Sequence, residues 1–509
     1  MVGGLTLVSR ILGFARDLVI ASLFGATAAT DAFFVAFKIP NFLRRLFAEG
    51  AFAQAFVPVL SGYRESGDST ATQRFLARIW GSFALLLMLL SVLGVVAAPG
   101  LIWLFAPGFH DQPAQAALSA ELLRITFPYL LFICLTALAS AILNTWHRFA
   151  VPAFTPVLLN LCMIGAAVGL APRFAEPITA LAWGVFLGGA LQLAFQLPPL
   201  LRLGLLPLPR IAVGDAGVRR VLTLMAPALF GASISQLNLL LNTLIASLLE
   251  TGSLSWLYYS DRLVEFPLGI LGAGMSTVIL PHLSRSQARQ DTDGFSHSLD
   301  WALRCLLLVG LPAALGLMLL AEPLMVTLFQ HDRFTALDAR MASRSLMAYA
   351  VGLMGFLGVK ILVPGFSARE DLLTPARFGV FAVAVNLALS VALSLVLAPP
   401  GWAHAALALA ASLAAMFQTA LLYLRLVRDN SYRPDAGWRM FLLRLLLANL
   451  LLAGILPIAA GAIDWQGAST IGRVLWLGGC VLAGMAVYAG ALWLAGMRPQ
   501  HLLMKGSPA

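Results

Sequence analysis

Ten of the 33 Lys and Arg residues lie inside stretches that are otherwise apolar. They are Arg10, Arg16, Lys38, Arg44, Arg45, Arg124, Arg262, Arg344, Lys360 and Arg444. Half of them fall in the first 45 residues, together with Asp17, Asp31 and Glu49. A charge at the centre of a bilayer costs roughly 2.5–3.5 kcal/mol on the insertion scale. Such residues must therefore be surrounded by water, by partners or by an anionic ligand. Arginine stays charged and presents a rigid fork matched to carboxylate or phosphate. Several converging on one cavity would do the chemistry of binding a phosphate or pyrophosphate group.

Spacing divides these residues. Asp31, Lys38 and Arg45 are seven apart, and Glu49 lies four beyond Arg45. Seven residues turn a helix by about 700°, so the four share one face and can pair with each other. Arg44 points roughly 100° away from that stripe. Arg10 and Asp17 share a face; Arg16 lies about 120° from Arg10 on a straight helix, and Gly13 permits a bend between them. Further on, Trp256, Tyr258 and Tyr259 precede Asp261, Arg262 and Glu265, and Pro267 follows. For Lys38, Arg45 and Glu49, mutual ion pairing and ligand binding are both open. For Arg10, Arg16, Arg44 and Arg262, nearby acids are fewer than nearby bases, which favours anion binding over structural pairing.

Stepping outward, the elements carrying these residues are membrane spans. The chain has 509 residues, 60% hydrophobic and 11% charged, with a mean hydropathy of +0.88. A spanning helix needs about 20 apolar residues, and such runs occur from end to end. No polar block is long enough for a soluble catalytic domain. Cys134, Cys162, Cys305 and Cys480 all lie in apolar spans, so no disulfide or metal site is expected. There is no glycine-rich phosphate loop and no metal-type cluster, so neither an ATP motor nor an enzyme is indicated. The net charge of +10 suits an anionic lipid surface. Its dispersal among loops argues against nucleic acid. Asn144, Pro152, Pro156 and Asn160 read as turn punctuation and interhelical hydrogen bonding.

Hydropathy predicts an all-α polytopic membrane protein of about 14 transmembrane helices. They lie near 1–24, 30–61, 75–105, 116–145, 152–170, 176–201, 219–248, 254–283, 299–321, 339–364, 374–397, 403–426, 438–461 and 473–497. Of the remaining Lys and Arg, nineteen lie in loops on the side of the C-terminus. Only Arg173, Arg333, Arg340 and Arg473 lie opposite. The positive-inside rule then places both termini in the cytoplasm. Ile20-Ala21-Ser22-Leu23 recurs as Ile245-Ala246-Ser247-Leu248, Pro58-Val59-Leu60-Ser61 as Pro281-His282-Leu283-Ser284, and Leu104-Phe105 as Leu328-Phe329. The offsets nearly agree, which indicates a duplication. Six helices per unit make the repeat parallel, a design that places substrate at the repeat interface and works by rocking. The expected divisions are 1–210 and 218–430 as six-helix lobes, and 436–509 as two appended helices.

Three runs carry a family resemblance: Ser9-Arg10-Ile11-Leu12-Gly13-Phe14-Ala15-Arg16-Asp17, Thr30-Asp31-Ala32-Phe33-Phe34-Val35-Ala36-Phe37-Lys38 and Arg44-Arg45-Leu46-Phe47-Ala48-Glu49-Gly50-Ala51-Phe52. So do Ala106-Pro107-Gly108-Phe109, Ile142-Leu143-Asn144-Thr145-Trp146 and Tyr258-Tyr259-Ser260-Asp261-Arg262-Leu263. Together they closely resemble the MurJ/MviN family of lipid II flippases over essentially the whole chain. The resemblance implies the multidrug/oligosaccharidyl-lipid/polysaccharide (MOP) exporter fold, with two lobes around a cationic cavity. It implies a transporter that moves undecaprenyl-pyrophosphoryl-MurNAc-pentapeptide-GlcNAc from the inner to the outer leaflet of the bacterial cytoplasmic membrane for cell-wall synthesis. Arg10, Arg16, Arg44 and Arg262 match the family's substrate-binding cations. Asp17, Asp31, Lys38, Arg45, Glu49, Asp261 and Glu265 would be supporting charges or gate residues. The last two helices would form a groove for the polyprenyl tail. The family's short amphipathic lead is expected to be absent. Asn238 and Asn242, with no Asp in the seventh span, do not suggest a sodium site there.

The expected drive is the membrane potential or a monovalent cation, with no cofactor. Expected partners are lipid II, membrane lipids and transiently the wall-synthesis proteins, with the chain itself a monomer. A drug exporter or another lipid-linked oligosaccharide exporter of the same fold is the nearest alternative, although a cationic drug disfavours a basic cavity. A membrane glycosyltransferase would need a carboxylate poised on an external loop, and Asp111, Glu250 and Asp464 are the candidates. A scaffold of wall synthesis would leave the intramembrane arginines unexplained.

Overall fold

The computed structural model describes residues 2–47 and 52–498, and among these the secondary structure is helical without strands. In chain order the first half contains α1 (Val2–Phe24), α2 (Ala28–Arg44), α3 (Phe52–Glu65), α4 (Ser69–Val96) and α5 (Ala98–Phe105). It continues with α6 (Pro113–Thr126), α7 (Tyr129–Thr145), α8 (Ala150–Gly165), α9 (Thr179–Arg202) and α10 (Ala216–Ser247). The second half holds α11 (Ser253–Ala288), α12 (Thr292–Leu319), α13 (Ala321–Phe329), α14 (Ala336–Ser367), α15 (Leu373–Ser390), α16 (Ala403–Arg428), α17 (Trp438–Ala460) and α18 (Thr470–Leu494).

Ten described helical segments are long and apolar enough to cross a membrane. The other four expected spans are the first, second, seventh and eighth. Three of these carry the charges singled out above: α1 holds Arg10, Arg16 and Asp17; α2, only 17 residues long, holds Asp31 and Lys38; and α11 holds Asp261, Arg262 and Glu265. The second expected span, 30–61, is described as α2 and α3 on either side of residues 48–51. The third, 75–105, divides at Ala97 because Pro99 starts a new helix, giving α4 and α5.

The internal repeat reaches the level of element boundaries. α4 and α12 are both 28 residues long, and the second begins 223 residues after the first. Each is capped by an aspartate: Asp68 accepts from the Ala71 amide at 2.9 Å and Asp291 from the Gly294 amide at 2.8 Å. Each runs into a short helix, α5 or α13. α8 and α15 both loosen at their ends into a π-helical segment, residues 166–170 and 391–397. Such wide turns lose regular bonding, so their recurrence at equivalent places reflects shared ancestry more than local composition.

Internal contacts divide the chain into two compact units, Met1–Ser255 and Trp256–Ala509. α10 is the first helix of the second repeat, yet it packs in the first unit, against α2, α3, α4 and α5. The segment before it explains this. The Arg210 amide donates to the Ala77 carbonyl at 2.8 Å, the Ala212 amide to Ser82 Oγ at 3.0 Å, and Arg78 pairs with Asp215, the N-cap of α10. The crossing is close enough that a Cβ on Gly81 would lie 2.5 Å from the Arg210 backbone.

In the second unit the densest packing is α14 on α16. Gly352, Gly355 and Gly358 form a stripe on α14, and a Cβ at Gly355 would stand 2.5 Å from the Met416 backbone nitrogen. In lipid there is little hydrophobic drive between helices, so close backbone approach at small residues supplies the contact energy. α17 and α18 are tied to α12 by a polar hub. The buried Asp300 carboxylate accepts from the Tyr432 hydroxyl at 2.8 Å, Trp438 Nε1 at 2.6 Å and the Asp435 amide at 3.2 Å, and forms an ion pair with Arg304, whose Nε lies 2.7 Å from its Oδ2. Arg304 also lies over the Trp438 ring at 5.1 Å. Apolar clusters around Leu308, Leu445 and Leu492, and around Leu320, Leu456 and Leu477, extend the same attachment.

Candidate functional site

The first-helix residues form a locked pair. Arg16 is 5% exposed and Asp17 1%. Arg16 donates through Nε at 2.9 Å and Nη2 at 2.6 Å to Asp17 Oδ1, and through Nη1 at 3.1 Å to Asn160 Oδ1 on α8. Asn160 in turn donates through Nδ2 to the Ser9 carbonyl at 3.1 Å. On a helical wheel Arg16 is under-compensated, because the wheel shows only same-face partners on its own helix. Two adjacent side chains can nevertheless meet when one folds back, and the second partner comes from α8. Gly13 keeps the approach open, since even a Cβ there would be 3.6 Å from Asn160 Nδ2. Arg10, one and a half turns earlier, is exposed.

On α2, Asp31 does not spend its carboxylate on the Lys38 side of the expected stripe. It is 2% exposed and caps the first turn of α11. The Gly252 amide donates to Oδ2 at 2.6 Å; the Ser255 amide and hydroxyl donate to Oδ1 at 2.9 and 2.5 Å. Ser255 follows Asp31 by 224 residues, the repeat offset, so the starts of two repeat-related helices meet at this carboxylate. An anionic side chain also suits the positive end of a helix dipole. Lys38 and Arg45 are half-buried, as is Arg44, whose Nε donates to Asn41 Oδ1 at 2.8 Å. Glu49 lies outside the described residues.

In the second unit, Arg262 pairs with neighbours on its own helix. Its Nη1 donates to Glu265 at 2.7 Å and its Nη2 to the Tyr258 hydroxyl at 3.0 Å, with the guanidinium 5.1 Å from the Tyr258 ring centre. The side chains of Arg262 and Glu265 are 31% and 44% exposed. Asp261 beside them is exposed. The helix that carries them is fixed at its start: Trp256 Nε1 donates to Asp338 Oδ1 at 2.9 Å, and Asp338 completes a capping box with Thr335 on α14.

The two arginine environments differ in kind. Removing one member of a buried pair such as Arg16–Asp17 leaves an uncompensated charge and typically costs 3–5 kcal/mol. A partly exposed pair such as Arg262–Glu265 is worth about 0–1 kcal/mol.

A cavity of about 600 Å³ opens in the first unit, with Arg44, Arg64, Asn144, His147 and Gln192 in its wall. Arg64 had the appearance of an ordinary loop cation. The loop carboxylates Asp111 and Glu250 are exposed, and Asp464 accepts from the Gln466 amide of its own turn at 3.0 Å.

The duplicated, charge-bearing helical bundle is that of a polytopic membrane transporter. Its fold is like that of an inward-facing multidrug resistance MATE-family transporter of the MOP superfamily, with a TM-score of 0.66 at 14% identity over 83% of this chain and 94% of the other. A solved structure of lipid II flippase MurJ in an inward closed conformation is more similar: TM-score 0.81 and 26% identity, covering 96% of this chain and 97% of that one. The family model described as lipid II flippase MurJ matches residues 20–472. A probable lipid II flippase MurJ of Vibrio cholerae is 44% identical, over 99% of this chain and 96% of the relative. The lipid II flippase MurJ of Burkholderia cenocepacia is 42% identical, over 98% and 96%. The chain belongs to the lipid II flippase MurJ family.

Proposed function

We propose that this protein is a flippase for lipid II and carries the undecaprenyl-pyrophosphate-linked peptidoglycan precursor from the inner to the outer leaflet of the bacterial cytoplasmic membrane. The lipid bears a disaccharide with a peptide stem, and it moves by alternating access of two repeated lobes across fourteen spans with both termini cytoplasmic. Arg44, Arg262 and Arg10 hold the pyrophosphate; Arg16 sets the pitch of α1 through Asp17 and Asn160. Asp31 holds the start of α11 on α2, and α17 with α18 offers a groove to the polyprenyl tail. The drive is the membrane potential or a monovalent cation gradient, and the protein works as a monomer.

Family membership supports the substrate. The observation that supports the roles is the contrast in exposure: Arg262 and its partner are accessible, while Arg16 and its partner are sealed. A binding group must trade its resting partner for the ligand, and an exposed pair does so cheaply.

The test is leaflet exposure of labelled lipid II in vesicles containing the full chain, with and without an imposed potential. Arg262→Glu is expected to lower the rate at least about tenfold, because reversal turns a charge-assisted contact into repulsion. Normal rates with normally folded Arg262→Glu protein would refute the assignment.

A further inference from the structure

The cavity in the first unit has an unusual balance. Arg44 and Arg64 line it with His147, and no carboxylate belongs to its lining among the described residues. A concave surface with one sign of charge concentrates ions of the other. Its volume, about 600 Å³, lies in the range that encloses a ligand of drug size and exceeds what a single inorganic anion needs.

The neutral lining narrows the ligand. Gln192 is 2% exposed; its Nε2 donates to the Thr155 carbonyl at 3.1 Å, and its Oε1 has no hydrogen-bond partner. Its amide gives the wall a neutral polar group beside the positive charge. Asn144 offers both kinds of group beside it. Arg64 is held ready from behind: it donates to the Thr145 carbonyl and lies over the Trp146 ring at 5.5 Å, which uses only part of its five-donor fork. A phospholipid phosphate supplies oxygens and no amide. A peptide supplies amide N–H donors and carboxylates together.

We infer that this cavity is a subsite for an acidic peptide, namely the carboxylate-bearing stem of the transported headgroup, separate from the contacts that hold the pyrophosphate. The inference rests on the flippase reading. Arg64 and His147 would read the stem's carboxylates, and Gln192 an amide. Arg44 stands at the boundary, so that headgroup and pyrophosphate are bound by adjoining walls.

The experiment measures affinity of the full-length protein in nanodiscs for three lipids: lipid II, lipid II with its peptide carboxyls amidated, and undecaprenyl pyrophosphate. Wild type is expected to bind the amidated form about tenfold more weakly, the worth of one charge-assisted hydrogen bond. Arg64→Gln should lose about the same factor for lipid II, become indifferent to amidation, and bind undecaprenyl pyrophosphate as wild type does. Ser61→Asp, which puts a carboxylate in the cavity wall one helical turn from Arg64 and within reach of its guanidinium, should do likewise and covers the case in which Arg64→Gln misfolds. Equal weakening of all three lipids, or undiminished sensitivity to amidation in both variants, overturns the inference. So does a loss of retained phosphatidylglycerol in place of the amidation effect, which would make the cavity a phospholipid site. If wild type binds undecaprenyl pyrophosphate but ignores amidation, only the subsite fails. If it binds none of the three, the flippase reading fails with it.

Discussion

Replacing Asp31 by Asn tests whether one carboxylate holds the start of α11. Asp31 accepts three hydrogen bonds, two on Oδ1 from Ser255 and one on Oδ2 from Gly252. An asparagine of the same shape keeps one acceptor oxygen. The better rotamer turns that oxygen to Ser255, retaining two bonds, and presents its amide group to the Gly252 N–H. One charge-assisted bond of about 1.5–3 kcal/mol is lost, and the remaining two become neutral. The relief of no longer burying a charge offsets part of this. The net effect is about 2 kcal/mol on local opening, or about thirtyfold faster amide exchange. Hydrogen exchange at Gly252 and Ser255, read by mass spectrometry in detergent, measures it. Asp31→Ala removes all three bonds and should exchange faster still. Unchanged protection at both amides in Asp31→Asn would refute the capping argument, and protection lost uniformly across α10–α12 would show a fold defect instead.

Other consequences follow from the same geometry. Asn160→Ala should lower stability by about 1–3 kcal/mol, since it strips one contact from a buried guanidinium; Asp17→Asn should cost more, and thermal unfolding of the purified protein ranks the two. Asp300→Asn weakens four contacts at one carboxylate, and proteolysis within residues 429–437 should accelerate while α14–α16 stay protected. The Asp371 carboxyl is held below its ordinary value by the Thr374 amide, which donates to it at 3.0 Å, and by the Thr374 hydroxyl. Its folded value lies below its unfolded one, so the stabilisation is complete above the ordinary aspartate range and fades as pH falls through the lowered value. Protection at Thr374, measured against the intrinsic exchange rate at each pH, should therefore fall on acidification, and Asp371→Asn should abolish that dependence.

Much of the site was legible because it is written in energetic anomalies. Arg10, Arg16, Arg44 and Arg262 stand out where a bilayer penalises charge, and Arg262 pairs with a partly exposed Glu265. The resemblance carried the family, and the comparisons bear it out. What spacing could not supply was partner choice. A helical wheel compares residues on one helix, whereas Arg16 is completed by Asn160, 144 residues away, and Asp31 by Gly252 and Ser255, more than 220 away. That Arg64 lines a cavity was invisible in the sequence, because only the fold brings the rest of the wall around a loop cation.

By itself the sequence determined that the chain is a helical membrane protein, duplicated, and of one transporter family. Hydropathy, periodicity and repeated motifs are properties of local composition and survive without coordinates. Only the tertiary structure decided which charges are sealed and which are available, and that α10 packs with the first unit although it begins the second repeat. The physical reason is the same in each case. The energy of a buried charge or a packed helix depends on the atoms that surround it, and those atoms are brought from distant parts of the chain.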